Sequence, residues 1–384
     1  MKSILLTTSA LIAFGGAAVA EVSFSGEATL GYNTNSNTAG TDGFYWSSDL
    51  SLSMSQELDN GLTAAASVGV SLSDNNMGQN LSSTDYVLSL TSDNAGLYFG
   101  DTDTATEAKW DAGVSGLTFD IFGEGAVDAD GSGDSAILRG EYSMGGVDAA
   151  VSYSVDQDAV SGASELAGLQ FAAAATFGSV NVGVAYQSEA ALESLTYGVA
   201  PGGYAFAGDS TGLAGVTVMG LSVGTTFAGA DVALAYISVD DNGVKGSSMG
   251  AEVGYTVGDV ALGAYYAVNA VDTDANNYTQ YGISAGYASG AITVDASYDV
   301  DAYNGTTADS WGIEGSYDVG NGLMVFAGIV SSGDQQYVAG TYDLGGGASI
   351  LASYATDGDD AVMSSDIGDG EYKEGMTLEV NFTF

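Results

Sequence analysis

The stretch EGSYDVGNGLMVFAG, residues 314–328, contains the pattern that decides the fold. Two runs of residues flank Asn321 and Gly322, a dipeptide typical of the type I′ turn that joins two antiparallel strands. The tyrosine of this stretch, Tyr317, has aromatic counterparts just before other glycine-containing turns: Tyr255, Tyr287, Tyr342, Phe177 and Phe227. From Phe227 onward these positions are 25 to 32 residues apart, by subtraction, so the repeated unit is about one hairpin long.

The residues on both sides of these turns alternate between apolar and polar. In residues 310–319 the odd positions include Trp311, Ile313 and Val319, whereas the even positions carry serine, glycine and acidic residues. Residues 292–300 and 62–73 show the same period of two, which indicates strands with one apolar face. Short turns alternate with long acidic loops, and this asymmetry is typical of a transmembrane barrel.

The sequence therefore predicts an all-β fold, a transmembrane antiparallel up-and-down β-barrel. A soluble β-sandwich gives the same alternation and is the alternative. It is disfavoured because the apolar faces carry small or aliphatic residues in mid-strand and aromatic residues at the ends. The opposite faces are polar almost throughout, and no linker interrupts the chain.

The first twenty residues have the composition of a secretion signal. Lys2 precedes an apolar run, and Ala18-Val19-Ala20 is the small-residue pattern that signal peptidase recognises. The apolar run is shorter than the roughly 20 residues that a membrane-spanning helix needs. We therefore expect residues 1–20 to be a signal peptide and residues 21–384 to form the barrel.

Composition excludes several classes of function. The chain has 5 Lys and Arg against 49 Asp and Glu, a formal net charge of −44, so it cannot neutralise the phosphates of a nucleic acid. Hydrophobic residues make up 46% of the chain, too many for a disordered polyanion. Cysteine is absent, which excludes a disulfide framework, and histidine is absent, which removes the commonest general base. We therefore expect no enzymatic activity.

Two groups of outward-facing aromatic residues are predicted at the barrel surface. Four tyrosines lie on the apolar faces of their strands, just before short turns: Tyr255, Tyr287, Tyr317 and Tyr342. They would form an aromatic girdle against outer-membrane lipid. The terminal run EGMTLEVNFTF alternates so that Phe382 and Phe384 also point outward. This run reads as the strand that closes the barrel against the first one.

Four stretches carry a family resemblance: AEVSFSGEATLGYN (20–33), LYFGDTDTA (97–105), TYDLGGGASI (341–350) and the terminal Phe384. With them the chain resembles the Gram-negative general porins, most closely those of the Rhodobacter-type alphaproteobacteria. The resemblance implies a homotrimer of barrels, usually of sixteen strands, in the bacterial outer membrane. It also implies that Phe382 and Phe384 are an assembly signal, with Phe384 read by the barrel-insertion machinery. Counting hairpins gives eighteen to twenty strands, so the number stays open.

The resemblance also implies a loop that folds into the pore after the fifth strand, here residues 102–135. Its charged residues, the candidate constriction, are Asp103, Glu107, Lys109, Asp111, Asp120, Glu124, Asp128 and Asp130. The candidate residues of the pore wall are Arg139, Glu141, Asp295, Glu314 and Asp318. The family's porins typically set acidic loop residues across from several arginines, whereas this wall has the single Arg139.

These residues predict a water-filled channel lined with one sign of charge, which concentrates cations and repels anions. The expected function is passive diffusion of small hydrophilic solutes and ions with a preference for cations. The alternative interpretation of the acids is that they only keep the protein hydrated.

Two acidic runs have the alternating spacing of calcium loops: Asp128, Asp130 and Asp134, and Asp272, Asp274 and Asn276. Both lack the closing glutamate, so Ca²⁺, with the first run as its site, is a weak candidate and no other cofactor is expected. The alternative function is a secreted acidic calcium-binding or adhesive β-protein without channel activity. The Gly-Gly-x-Gly-x-Asp repeat of such proteins is absent from this chain.

Overall fold

A computed structural model describes residues 21–35, 43–73, 82–122, 135–156, 166–188, 195–197, 204–206, 216–241, 243–272, 277–330, 335–356 and 372–384. The predicted signal peptide lies outside these residues, so its cleavage stays a prediction. The predicted site residues Glu124, Asp128, Asp130 and Asp134 also lie outside them.

The described chain consists almost entirely of strands. In chain order they are β1 (Glu21–Asn33), β2 (Phe44–Glu57), β3 (Thr63–Ser73), β4 (Ser82–Thr91), β5 (Ala95–Gly100), β6 (Ser135–Met144), β7 (Val147–Asp156), β8 (Leu166–Phe177), β9 (Val180–Ser188), β10 (Leu195–Tyr197), β11 (Tyr204–Phe206), β12 (Val216–Phe227), β13 (Ala230–Asp241), β14 (Val244–Val257), β15 (Val260–Val271), β16 (Tyr278–Ser289), β17 (Ile292–Tyr303), β18 (Thr306–Gly320), β19 (Leu323–Val330), β20 (Gln335–Gly345), β21 (Ala348–Ala355) and β22 (Gly375–Thr383). A five-residue helix, α1 (Ala105–Lys109), follows β5. Within the described ranges, no helix is long and apolar enough to cross a membrane.

The strands form a closed antiparallel barrel. Twenty of the described strands belong to one sheet in which neighbours in sequence are neighbours in space, while β10 and β11 pair only with each other and β9 pairs with β12. The last strand pairs with the first from Glu27↔Thr383 to Asn33↔Thr377. Beyond this ladder, the Phe384 N–H donates to the Gly26 carbonyl at 2.8 Å. Closure leaves no unpaired edge on these strands.

The strand number of sixteen that the resemblance implied is wrong for this chain. The sheet has 20 strands in the described residues, the upper end of the range that the hairpin count gave. Ten of these strands, β12 to β21, lie in residues 216–355, where five hairpins follow one another with two-residue turns between their strands. One of these turns is the Asn321-Gly322 turn, whose φ angles of 55° and 85° have the signs that type I′ requires.

The outward side chains of the barrel are apolar and exposed. Ile313 is 45% exposed and Trp311 38%, and neither is covered by a second layer among the described residues. The same holds on every side of the barrel, for example at Leu88, Leu234 and Leu378. An apolar surface of this extent is costly in water and is stable in the hydrocarbon of a membrane.

Candidate functional site

The interior of the barrel is partly filled by the chain after β5. This inward segment, residues 101–122, begins with α1, whose N-terminus carries a capping box between Thr104 and Glu107. The Ala105 N–H donates to the Ser152 hydroxyl on β7 at 2.8 Å. The Thr106 hydroxyl donates to the Gln170 side chain on β8. These bonds fix the start of the segment to the inner wall.

The rest of the inward segment packs against an apolar part of the inner wall. The segment contributes Ala112, Val114, Leu117, Phe119 and Ile121. The wall contributes a group that we call the apolar seat: Val216, Val218, Ala235, Ile237, Val239, Ala267, Val271 and Tyr278, on β12, β13, β15 and β16. On β14 the Phe119 ring covers Gly246, where an added Cβ would lie 2.7 Å from Phe119 Cζ.

Hydrogen bonds surround these apolar contacts. The Ser115 N–H and hydroxyl both donate to Glu252 Oε2 at 2.8 Å. The Thr118 N–H donates to Asn269 Oδ1 at 3.0 Å, and the Asn269 amide donates to the Gly116 carbonyl at 3.0 Å. The predicted inward fold of residues 102–135 is therefore confirmed for the part that the structure describes, up to residue 122. That it sets the narrowest part of the channel stays a prediction.

The apolar seat was not predicted from the sequence, although a signal for it existed. Val216, Val218, Ile237 and Val239 occupy inward positions that the barrel pattern reserves for polar residues. An inward position that is apolar requires cover from another part of the chain, and the inward segment supplies that cover.

The predicted acidic residues of the inward segment differ in their surroundings. Asp103, Glu107 and Asp111 are exposed to the lumen. Asp120 is half-buried and accepts a hydrogen bond from Trp110 Nε1 at 2.9 Å. Asp120 therefore helps to hold the segment together, whereas the other three contribute charge to the water in the lumen.

The basic residues of the lumen are paired with acids. The Glu141 carboxylate forms ion pairs with two bases: it lies 2.9 Å from Arg139 Nε and 3.0 Å from Lys109 Nζ. Arg139 also lies 3.7 Å from the Asp103 carboxylate, and its guanidinium stacks 4.7 Å from the centre of the Tyr98 ring. At another place on the wall, Lys373 Nζ lies 3.6 Å from Glu379. These pairs cancel the positive charges locally.

The predicted acids of the wall lie at three different depths. Asp295 is half-buried on the inner face of β17, as its parity predicted. Glu314 is only 2% exposed and accepts the Tyr337 hydroxyl at 3.0 Å. Asp318 is exposed beside the turn after β18, where its carboxylate accepts the Gly320 N–H at 2.8 Å. Asp318 is therefore at the turn end of the barrel.

The predicted girdle tyrosines all lie outside, near the turns. Tyr255, Tyr287, Tyr317 and Tyr342 are between 42% and 48% exposed. A second set of outward aromatics lies farther from the turns: Tyr236, Tyr266, Tyr281, Tyr298, Trp311 and Tyr354. Trp311 was placed on the apolar face by its parity, but no second girdle was predicted. Phe382 and Phe384 stack outside with centroids 6.4 Å apart, and their role in assembly stays a prediction.

The described residues contain no group of three or more Asp, Glu, His or Cys side chains that could hold a metal ion. Because Asp128, Asp130 and Asp134 fall in a part of the chain that is not described, calcium binding there stays a prediction.

Comparison with known proteins gave matches to a family and to solved structures. The model of the family described as Gram-negative porin matches residues 7–211 and 194–335. No curated protein matches in sequence. A five-substitution variant of the porin of Rhodopseudomonas blastica is 19% identical, with 77% of this chain and 99% of that one covered and a TM-score of 0.45. A double variant of that porin is 15% identical, with 95% and 100% covered and a TM-score of 0.45.

Proposed function

This chain belongs to the Gram-negative porin family, and from that premise we propose that its channel passes small hydrophilic solutes and prefers cations. The protein is an outer-membrane porin channel, so the alternative of a secreted calcium-binding protein without a channel is abandoned. The family is one of channels, and we assign no reaction to this chain.

The observation that carries the cation preference is the pairing of the basic side chains. Arg139 and Lys109 share the Glu141 carboxylate, and Lys373 lies against Glu379. The acids that remain on the inner wall include Asp49, Asp295 and Asp299, with Glu107 and Asp111 on the inward segment. Fixed charges of one sign in a tube with low-dielectric walls raise the local concentration of counter-ions.

The assembly of the protein is also a proposal that starts from its family. We propose a homotrimer in the outer membrane, reached after removal of residues 1–20 and insertion through recognition of the terminal Phe384. The outward position of Phe382 and Phe384 beside the β1–β22 closure makes both side chains accessible to a protein that inserts barrels.

The test is reconstitution of the purified protein in a planar bilayer under a KCl gradient. We expect ohmic channels and a reversal potential of the sign that K⁺ preference gives. Replacing two lumen acids in the double variant Asp49→Asn, Asp295→Asn should lower that potential. The matched control is Asp93→Asn in the turn between β4 and β5, which removes a charge outside the barrel wall and should change it less. A reversal potential of the opposite sign would refute the cation preference.

A further inference from the structure

Three rows of the inner wall share one arrangement of side chains. Each row places a tyrosine, a glycine and a carboxylate at paired positions on three neighbouring strands. The rows are Tyr45–Gly31–Glu379, Tyr337–Gly328–Glu314 and Tyr265–Gly282–Asp299. Strand pairing alone sets these positions, so the recurrence is a property of the sequence and its register.

In each row the tyrosine lies across the glycine and reaches the carboxylate two strands away. The Tyr265 hydroxyl donates to Asp299 Oδ1 at 2.9 Å, and the other two tyrosines donate to Glu314 and Glu379. A side chain at the central position would block this crossing. An added Cβ at Gly282 would lie 2.5 Å from the Tyr265 ring and 2.2 Å from the Asp299 carboxylate.

Two of the three rows are covered by the chain itself. Lys373 Nζ lies 3.3 Å from the centre of the Tyr45 ring and 3.6 Å from Glu379. The neighbouring Tyr372 lies over Tyr337, with ring centres 4.7 Å apart. An alkylammonium group of the protein therefore already occupies one of these tyrosine–carboxylate rows.

The third row is open to the lumen. Tyr265 and Asp299 are both only half-buried. The row also borders the inward segment, because a Cβ added to Gly116 would lie 2.9 Å from the Tyr265 ring. Glu252 is paired with Tyr265 across β14 and β15 and adds a second carboxylate to the same row. A solute that passes the inward segment therefore comes close to this row.

We propose that Tyr265 and Asp299 form a binding site for the alkylammonium group of a solute, as Tyr45 and Glu379 do for Lys373. The site rests on the proposed function, since it deepens the cation preference into a preference for organic ammonium ions. The face of a tyrosine ring attracts a cation, and a carboxylate that accepts one hydroxyl has further lone pairs for the ammonium protons. Donation from the Tyr265 hydroxyl holds the Asp299 carboxylate in place.

The probe is n-butylammonium chloride, which matches the end of a lysine side chain. Binding is measured by calorimetry on the detergent-solubilised protein, and block is measured as loss of single-channel K⁺ conductance. We expect saturable binding at one site per chain. The variants Tyr265→Leu and Asp299→Asn should each weaken binding about fivefold or more, since a cation–aromatic contact contributes about 1 kcal/mol.

Two controls sharpen the test. Asp295→Asn removes the same charge four residues away on β17, about 13 Å along the strand, and should leave binding within about twofold of the unaltered protein. Lys373→Ala removes the ammonium group and most of the side chain from the Tyr45 row and should raise the stoichiometry from one to two sites.

The outcomes separate the two proposals. Chloride preference in the KCl gradient would refute the proposed function, and the calorimetry would still decide the site. K⁺ preference with no saturable binding of butylammonium would refute the site alone. Equal weakening by Asp295→Asn and Asp299→Asn would also refute it, because only general electrostatic attraction would then remain.

Discussion

Two parts of the inner wall follow the same alternation and have opposite chemistry. The apolar seat on β12, β13, β15 and β16 is buried under the inward segment, with Val218 and Ile237 fully covered. The acidic wall, which we define by Asp49 on β2 and Asp295 and Asp299 on β17, faces the lumen. The period of two therefore predicts which way a side chain points. Whether an inward position is in contact with water depends on a second segment of the chain.

The largest effect is expected from a charge placed in the apolar seat. Ile237→Asp would bury an unpaired carboxylate against the inward segment, which costs about 3–5 kcal/mol of stability. Part of this cost can be relieved if residues 101–122 leave the seat, so the single-channel conductance should rise. Urea unfolding in detergent and bilayer recording measure the two effects.

The matched control places the same residue on the other part of the wall. Ser297→Asp on the inner face of β17 adds a carboxylate in a half-exposed position and should cost less than about 1 kcal/mol. Equal losses in the two variants would show that the seat and the acidic wall do not differ in burial.

The second-largest effect is expected from removing the side chain that the inward segment packs against the inner wall most deeply, Phe119. Phe119 is fully buried and lies over Gly246, so Phe119→Ala should weaken docking of the segment by about 3 kcal/mol. Hydrogen exchange of the backbone amides in residues 112–121 should speed up accordingly. Phe122→Ala, at a half-buried position that contacts Trp110, is the control and should have a smaller effect. Unchanged exchange in Phe119→Ala would mean that the hydrogen bonds alone hold the segment.

This contrast shows what the sequence could predict. The strands, the turn at Asn321-Gly322 and the outward tyrosines follow from local alternation and turn chemistry, which short segments determine by themselves. The inward fold of residues 102–135 was inferred from family resemblance, and the structure describes it as far as residue 122. The docking of the segment onto the inner wall depends on contacts such as that of the Phe119 N–H with Ser248 on β14, over a hundred positions away in sequence.

The tyrosine–glycine–carboxylate rows could not be predicted from the sequence for the same reason. Asp295 and Asp299 share the same parity on β17, but among the described residues only Asp299 receives a tyrosine hydroxyl. That difference depends on the register of β15, β16 and β17, which places Gly282 between Tyr265 and Asp299. A single sequence gives the parity of a strand more readily than its register.

The third effect is on charge rather than packing. Lys109→Met removes one positive charge from the cluster with Glu141 and Arg139, which makes the lumen more negative, so K⁺ preference should rise. The stability cost should stay below about 1 kcal/mol because the pair is partly exposed to water. Lys245→Met is the control: it removes the same charge at an exposed position near the start of β14, on the parity that faces outward. A larger shift of the reversal potential in Lys245→Met would contradict the assignment of Lys109 to the channel.

The smallest effect is expected where the inward segment meets a charged residue of the wall. Ser115→Ala removes the hydroxyl bond to Glu252, while the backbone N–H of residue 115 still donates to the same oxygen. Ser115 is exposed, so water can replace the lost donor and the cost should be about 0.5 kcal/mol. Unfolding by urea should barely change, and hydrogen exchange at residues 112–121 should speed up far less than in Phe119→Ala. A loss as large as that of Phe119→Ala would mean that polar contacts with Glu252, rather than the apolar seat, hold the segment inside the barrel.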